Sequence, residues 1–467
     1  MPLGSRNKND DKQEIMENRA TFGSRLGAIL AAAGSAVGLG NIWRFPCETG
    51  QNGGAAFILV YVFFIALVAV PVLITELALG RDGRANVYDT FCRLGTQWRG
   101  LWKTAGMMCV VAGFLVFSYY SVVAGWTLGY AVMAGAGGLA DKTPEQFAAG
   151  FAEFSADPWL PTMYLVGFVL ITTVIVVLGV QRGIERGSKL MMPLLFVLLV
   201  VLAVCSLSLP GSMKGVEFLL KPDFSKLTGD VLLSAMGQAF FTLSVGIGCL
   251  LTYASYFSSK VNIVKDAFNV AAIDTLVAIL AGLIIFPAAM SVGVNPDAGP
   301  SLVFITLPNV FEQAFGSMPW LCYVVTLLFY LLLLMAALTS SISMLEITTA
   351  FVTEKFRIRR WQAATVLGII TCGAGFLCSM SFGEWADVKV LGMGFFDLFD
   401  FLVAKFAMPL GSIFMCLLMR RLGEEKVTAM LTNGGTLHMG PLPRLFYLLV
   451  SWMLPLLILV IFVEGLL

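Results

Sequence analysis

Long apolar runs alternate with short polar connections along the whole chain, and each run is about as long as a bilayer requires, roughly 20 residues. The runs fall near 24–50, 55–79, 101–136, 159–180, 188–210, 230–256, 267–293, 320–353, 361–381, 393–419 and 443–466. This pattern predicts an all-α integral membrane protein with eleven spans. The first, sixth and tenth runs are impure.

The first run holds Gly34, Gly38, Gly40 and Pro46, poor residues for an uninterrupted helix. Backbone freed at membrane depth is tolerated only where it is buried in protein or lines a cavity. Small residues also serve helix packing. Packing alone, however, does not call for an amide and a guanidinium, and Asn41 and Arg44 stand in the same stretch. The sixth run repeats the peculiarity, with Gln238, Thr242, Ser244, Gly246 and Gly248 in mid-span. Two interrupted spans five helices apart point to a transporter built from repeats. Because five is odd, the second repeat enters from the other side, giving an inverted 5+5 topology. The halves share negligible letter-for-letter similarity, so the repeat rests on hydropathy and interruption.

Loop charge sets the orientation. Basic residues concentrate in every second connection: Arg81, Arg84, Arg93, Arg99 and Lys103; Arg182, Arg186 and Lys189; Lys260 and Lys265; Lys355, Arg357, Arg359 and Arg360; Arg420, Arg421 and Lys426. Those loops and the amino terminus are expected in the cytoplasm. The chain then divides into a polar segment (1–23), a first five-helix repeat (24–210), an external loop (211–229), a second repeat (230–420), a cytoplasmic loop (421–442) and a peripheral eleventh helix (443–467).

Composition agrees. Of 467 residues 58% are hydrophobic and 13% charged, where a soluble protein carries about 25% charged residues. A formal net charge of +1 argues against a nucleic-acid partner. His438 is the only histidine, which excludes a histidine-rich metal site, and the nine cysteines read as small buried hydrophobes. Residues 1–21 have no apolar centre, so no cleavable signal peptide is expected. The chain has no Asn-x-Ser/Thr sequon, which fits the inner membrane of a bacterium.

The residues now reached resemble the neurotransmitter:sodium symporter family over nearly the whole chain. The resemblance is carried by Gly38-Leu-Gly-Asn-Ile-Trp-Arg-Phe-Pro46 with Asn52-Gly-Gly54. Further matches are Phe241-Thr-Leu-Ser244, Thr252-Tyr-Ala-Ser-Tyr256 and Leu338-Thr-Ser-Ser-Ile342. It implies the fold of the bacterial leucine transporter and the symport of an amino acid with sodium, for which two ions are expected. One sodium would take the carbonyls of Gly34, Val37 and Ala336 and the hydroxyls of Thr339 and Ser340. On an α-helix, Ala336, Thr339 and Ser340 share a face, although such hydroxyls also bond back to their own helix. The other sodium would use Ala36, Asn41, Thr242 and Asp274 together with the substrate carboxylate, a direct source of coupling.

By the same resemblance, the carboxylate meets amides near Leu39 and Gly40 and the Tyr120 hydroxyl, at a half-helix end whose dipole suits an anion. Carbonyls of Phe241, Thr242 and Ser244 would receive the ammonium. Monoamine carriers of the family place an aspartate where Gly38 stands, so Gly38 favours an amino acid. Ser35, Val116, Phe241, Ile247, Ser340, Ser343 and Met344 complete the expected pocket. Its apolar content suggests a hydrophobic amino acid, with Val116 and Ile247 also readable as core.

Arg44 and Asp400 match the outer gate of the family, while Arg19 and Glu354, with Tyr256, match the inner one. Plain surface charges are the alternative for the inner pair, where the usual tryptophan is Phe22 and the usual aspartate Glu354. Gly183 and Pro193 fit a Gly-x9-Pro pattern, read either as a site of unwinding or as a static kink. Asp274, an acid where chloride-dependent relatives have asparagine, with Ala278 in place of their serine, implies transport without chloride. The simpler role for Asp274 is a solvated or capping acid. A channel and a carrier of glycine, proline or an osmolyte are the competing functions. Preferred substrate and oligomeric state are not legible in the sequence.

Overall fold

The computed structural model describes residues 20–293 and 302–464. Among these residues the fold is helical throughout, with one isolated bridge between Val390 and Met393. Nine helices are long and apolar enough to cross a membrane, and a bent pair brings the number to ten. The bent pair is α1, with halves α1a (Arg25–Ala36) and α1b (Gly40–Gln51) inclined by 54°. The straight spans are α2 (Ala55–Gly83), α3 (Arg99–Gly135), α4 (Leu160–Val177), α5 (Val180–Leu207), α7 (Ile263–Ser291), α8 (Pro319–Phe356), α9 (Arg360–Met380), α10 (Phe395–Leu422) and α11 (Leu442–Val463). The sixth run forms two shorter pieces, α6a (Gly229–Thr242) and α6b (Cys249–Ala254), each too short to span by itself.

Both interruptions are compensated locally. At the first, Val37 leaves the helix with extended backbone. The freed Gly38 amide donates to Asn41 Oδ1 at 2.9 Å, and the Leu39 amide reaches the Tyr120 hydroxyl at 3.3 Å. The break lies at residues 37–39, while Pro46 sits inside α1b, just after a wide π-type turn at Gly40–Arg44, as befits a residue that lacks the N–H a regular turn would use. At the second, Ser244, Gly246 and Gly248 all have positive φ. A Cβ on Gly246 would stand 2.1 Å from the Met408 carbonyl oxygen. Only glycine admits α10 this close to the broken backbone.

The long helices α3 and α8 lie side by side, flanked by α4 and α9. Against this layer pack α1a, α6b and α5, with α2 and α7 beyond, and α11 lies on α10. The two broken helices therefore meet in the middle of the assembly, surrounded by apolar side chains. In the fifth span the irregular turn covers Val180–Glu185, after Gly179. Arg186 through Pro193 is α-helical, so the distortion precedes most of the Gly183–Pro193 interval.

Candidate substrate and ion site

A cavity of about 320 Å³ opens between the broken segments and α3, α8 and α10. One end is backbone-rich, at Gly38, Leu39 and Gly40, with Tyr120 and Ser340 beside it. The rest of the wall is mostly apolar, with Val116, Val123, Ile247, Met344 and the Phe241 ring. Thr242 and Ser244 border it from the second break, and Ala36 and Asn41 from the first. Nearly all the pocket residues expected from the sequence thus share one wall. Ser35 and Ser343 do not line it: the Ser35 hydroxyl donates to Ser343 Oγ at 2.7 Å, joining α1a to α8.

Two oxygen-rich clusters adjoin the cavity. In the first, Asn41 Nδ2 donates to Asp274 Oδ1 at 2.8 Å and to Thr242 Oγ1 at 3.2 Å, while the Thr242 hydroxyl donates to Asp274 Oδ2 at 2.8 Å. In the second, the Ser340 hydroxyl donates to the Val37 carbonyl at 2.8 Å and the Gly34 carbonyl at 3.4 Å. Thr339 donates to the Ala336 carbonyl at 3.0 Å and reaches that of Val37 at 3.4 Å. Both clusters are buried and composed of carbonyl, hydroxyl, amide and carboxylate groups. That donor set suits a hard cation taking oxygen ligands.

The sequence profile of the sodium:neurotransmitter symporter family matches residues 19–144 and 156–467. The chain belongs to that family. It is 39% identical to the uncharacterized sodium-dependent transporter YhdH of Bacillus subtilis, over 95% of this chain and 97% of that protein. An uncharacterized sodium-dependent transporter of Haemophilus influenzae is 32% identical, over 96% of this chain and 99% of that protein. The crystal structure of MhsT in complex with L-phenylalanine superposes with a TM-score of 0.86 at 42% identity, covering 96% of this chain and 100% of that one. The family is one of sodium-coupled transporters, not of enzymes, and its members' sodium dependence implies that this one uses sodium.

In this family member the expected gates are placed as follows. Arg44 and Asp400 border the same cavity, but Arg44 is not bonded to Asp400. Its guanidinium lies 4.2 Å over the Phe241 ring and its Nε 3.8 Å from Glu48. On the other side, Glu354 accepts from the Asn86 backbone amide at 3.1 Å and from Asn86 Nδ2 at 2.7 Å. Arg19 lies outside the described residues. The Tyr256 hydroxyl donates to Glu346 at 2.6 Å, and Arg360 bonds both oxygens of that carboxylate. Phe22 rests edge-on against Tyr253, Tyr256 and Phe257 at 6.0–6.2 Å between ring centres.

Three carboxylates with evident work were missed in the sequence. Glu76 of α2, fully buried, accepts from the Gly246 amide at 2.5 Å and the Leu251 amide at 3.3 Å, serving the second break as Asn41 serves the first. Glu346 joins α6b, α8 and α9 through Tyr256 and Arg360. Glu185 accepts from the Gly23 amide, the Ser24 hydroxyl and Lys189 at 2.6, 2.9 and 2.7 Å, tying the start of α1a to α5. Glu76 and Glu346 stand inside apolar runs, and an intramembrane acid is by default a functional signal.

Proposed function

We propose that the protein is a symporter that couples sodium entry to uptake of a hydrophobic amino acid, by alternating access, in the inner membrane of a bacterium. The cavity between the two broken helices carries this reading, because it joins freed amides to an apolar chamber. In this proposal the substrate carboxylate sits at the amino end of α1b, near the Leu39 and Gly40 amides and the Tyr120 hydroxyl, where the helix dipole favours an anion. The ammonium faces carbonyls of Phe241, Thr242 and Ser244. The side chain lies among Val116, Phe241, Ile247 and Met344, which would leave the polar groups of a small osmolyte without partners.

Two sodium ions complete the proposal. One shares Ala36, Asn41, Thr242 and Asp274 with the substrate carboxylate, and the other takes Gly34, Val37, Ala336, Thr339 and Ser340. An ion that needs the substrate as a ligand binds weakly without it, and linkage makes the effect mutual. Arg44, stacked on Phe241, is poised on the external side, and Asp400 is its partner on closure. In this proposal the chain makes eleven spans in two inverted repeats, with α6a and α6b as one span, and the basic loops support a cytoplasmic amino terminus. The clusters formed by Glu346 and Glu354 then hold the inner side. The bacterial relatives and the phenylalanine bound to MhsT support the location and the substrate class.

The test is thermal stabilisation of the purified protein by each of the twenty amino acids, with sodium and with potassium. Binding raises apparent stability by RT ln(1 + L/Kd), with L the free ligand concentration, so it grows with both concentration and affinity. Large apolar amino acids should stabilise in sodium only. Accumulation in proteoliposomes under an imposed sodium gradient separates a symporter from a channel, which cannot concentrate solute. Sodium-independent stabilisation, or preference for glycine or proline, would sink the proposal.

A further inference from the structure

On the side that the loop charges assign to the cytoplasm, a second cavity of about 610 Å³ shares no wall residue with the first. The end of α2, the loop after α6b and the connection between α10 and α11 enclose it. All three contribute cations: Arg81 and Arg84, Lys260, and Lys426. The opposing carboxylate on the wall is Asp82, which Lys426 already engages at 3.0 Å. The Arg81 guanidinium bonds only neutral oxygens, those of the Val261 carbonyl at 2.8 Å, Asn433 Oδ1 at 2.5 Å and the Met430 carbonyl. Among the described residues on its wall, three positive charges are therefore in excess.

Arg84 adds a second observation. It closes α2 in a left-handed conformation, φ 41°, and its Nε is buried without a hydrogen-bond partner. Leaving a buried donor on a cation unpaired is costly. Arg84 lines the cavity, and an anionic oxygen is the strongest partner for a guanidinium. A carboxylate offers two oxygens in one plane, whereas a phosphate presents acceptors in several directions and can serve cations from three segments at once. Arginine forks match phosphate geometry particularly well. Basic pockets just cytoplasmic of membrane helices also lie in the negative surface potential of anionic lipid.

We propose that this cavity is a binding site for a phosphate group, presented by an anionic phospholipid headgroup or by a soluble phosphate ester. The bound group bridges three connections that Arg81 and Asn433 already stitch together through the Val261 carbonyl, to which Asn433 Nδ2 also donates at 3.2 Å. It thus stiffens the cytoplasmic face of the carrier without touching the substrate.

The experiment is native mass spectrometry of the whole chain. One arm releases it from phosphatidylcholine nanodiscs with increasing phosphatidylglycerol, and the other titrates pyrophosphate in zwitterionic detergent. Wild type should carry a saturable adduct in at least one arm. Arg84→Gln with Lys260→Gln should move the midpoint up by roughly 30-fold, at roughly fivefold per charge removed. Lys214→Gln with Lys221→Gln, exposed lysines on the opposite face, should leave it unchanged. Sodium-dependent stabilisation by the transported amino acid reports that each variant is folded, and Lys260→Gln alone serves if the double variant is not. An adduct in the lipid arm assigns the headgroup, and one in the pyrophosphate arm alone assigns a soluble ester. No adduct in either arm overturns the proposal, as do equal midpoints for wild type and variant or an equal shift in the opposite-face control.

Discussion

The Asn41 side-chain amide donates to the Asp274 carboxylate at 2.8 Å, tying the first break to the middle of α7. Asp274 also accepts from Thr242 of the second broken helix. One buried acid therefore joins both interruptions and the cluster proposed for the first sodium. Near it, the Tyr61 hydroxyl and both polar atoms of Gln238 are buried without hydrogen-bond partners.

A fixed carboxylate at this place can balance a sodium ion as a bound anion would, so uptake should proceed at full rate in chloride-free gluconate buffer. Replacing the acid with an amide removes that balance. Asp274→Asn with Ala278→Ser should be inactive in gluconate and at least partly restored by chloride, with Tyr61, Gln238 and the new serine as donors. A chloride requirement in the wild type would show that Asp274 has only a structural task.

Thr339 tests the second cluster. Thr339→Val removes the hydroxyl that reaches the Ala336 and Val37 carbonyls while changing volume little. A hydrogen bond of this kind contributes about 1 kcal/mol net, so folding should survive. The sodium concentration that half-stabilises the protein should rise about tenfold, the equivalent of roughly 1.4 kcal/mol in binding. An unchanged sodium midpoint would reduce Thr339 to a packed helix residue.

Arg360 makes the corresponding test at the inner side. Glu346 is completely buried and is bonded by Arg360 and Tyr256. Arg360→Ala strands that carboxylate, and breaking a buried pair in this way costs about 3–5 kcal/mol. A clear fall in thermal stability is expected, largely regained when Glu346→Gln is added. If the single variant is as stable as wild type, the pair does not hold α6b, α8 and α9 together.

Much of this arrangement was legible in the chain because membrane helices are written in long apolar runs, and their breaks in glycine and misplaced polar groups. Gly38, Asn41, Thr242 and Gly246 announced the two interruptions. What periodicity could not place was long-range pairing. Pro46 looked like a helix breaker, yet it lies inside α1b after a wide turn at Gly40–Arg44, and the actual break is fixed by Asn41 and Tyr120. Glu76 is four helices from the backbone it satisfies, so only its depth in an apolar run marked it. Arg44 has a charged partner nearby in sequence, Glu48, and an aromatic face one broken helix away. The structure sets Arg44 on Glu48 and the Phe241 ring, a choice over Asp400 that spacing cannot encode.

The last prediction concerns the head of the substrate and rests on Gly38. Gly38 is closely packed: a Cβ there would stand 2.6 Å from Ser340 Oγ and 3.2 Å from the Tyr120 hydroxyl. Those two hydroxyls are the ones that reach the Val37 carbonyl and the Leu39 amide. In the proposed scheme the substrate carboxylate lies beside Gly38, against the freed amides and the first sodium. A decarboxylated amine would leave both without their anionic partner. Tryptophan and leucine should accordingly stabilise the protein in sodium, whereas tryptamine and isoamylamine should need at least a hundredfold higher concentration, about 2.7 kcal/mol at roughly 1.4 kcal/mol per decade. Gly38→Ala should weaken both sides at once, because displacing Ser340 also disturbs the cluster around Val37. The sodium midpoint and the amino-acid midpoint should then rise together, whereas a change confined to the substrate would place Gly38 in the pocket wall alone. Equal affinity for amine and amino acid would remove the carboxylate from the binding scheme, and with it the shared-ion basis of coupling.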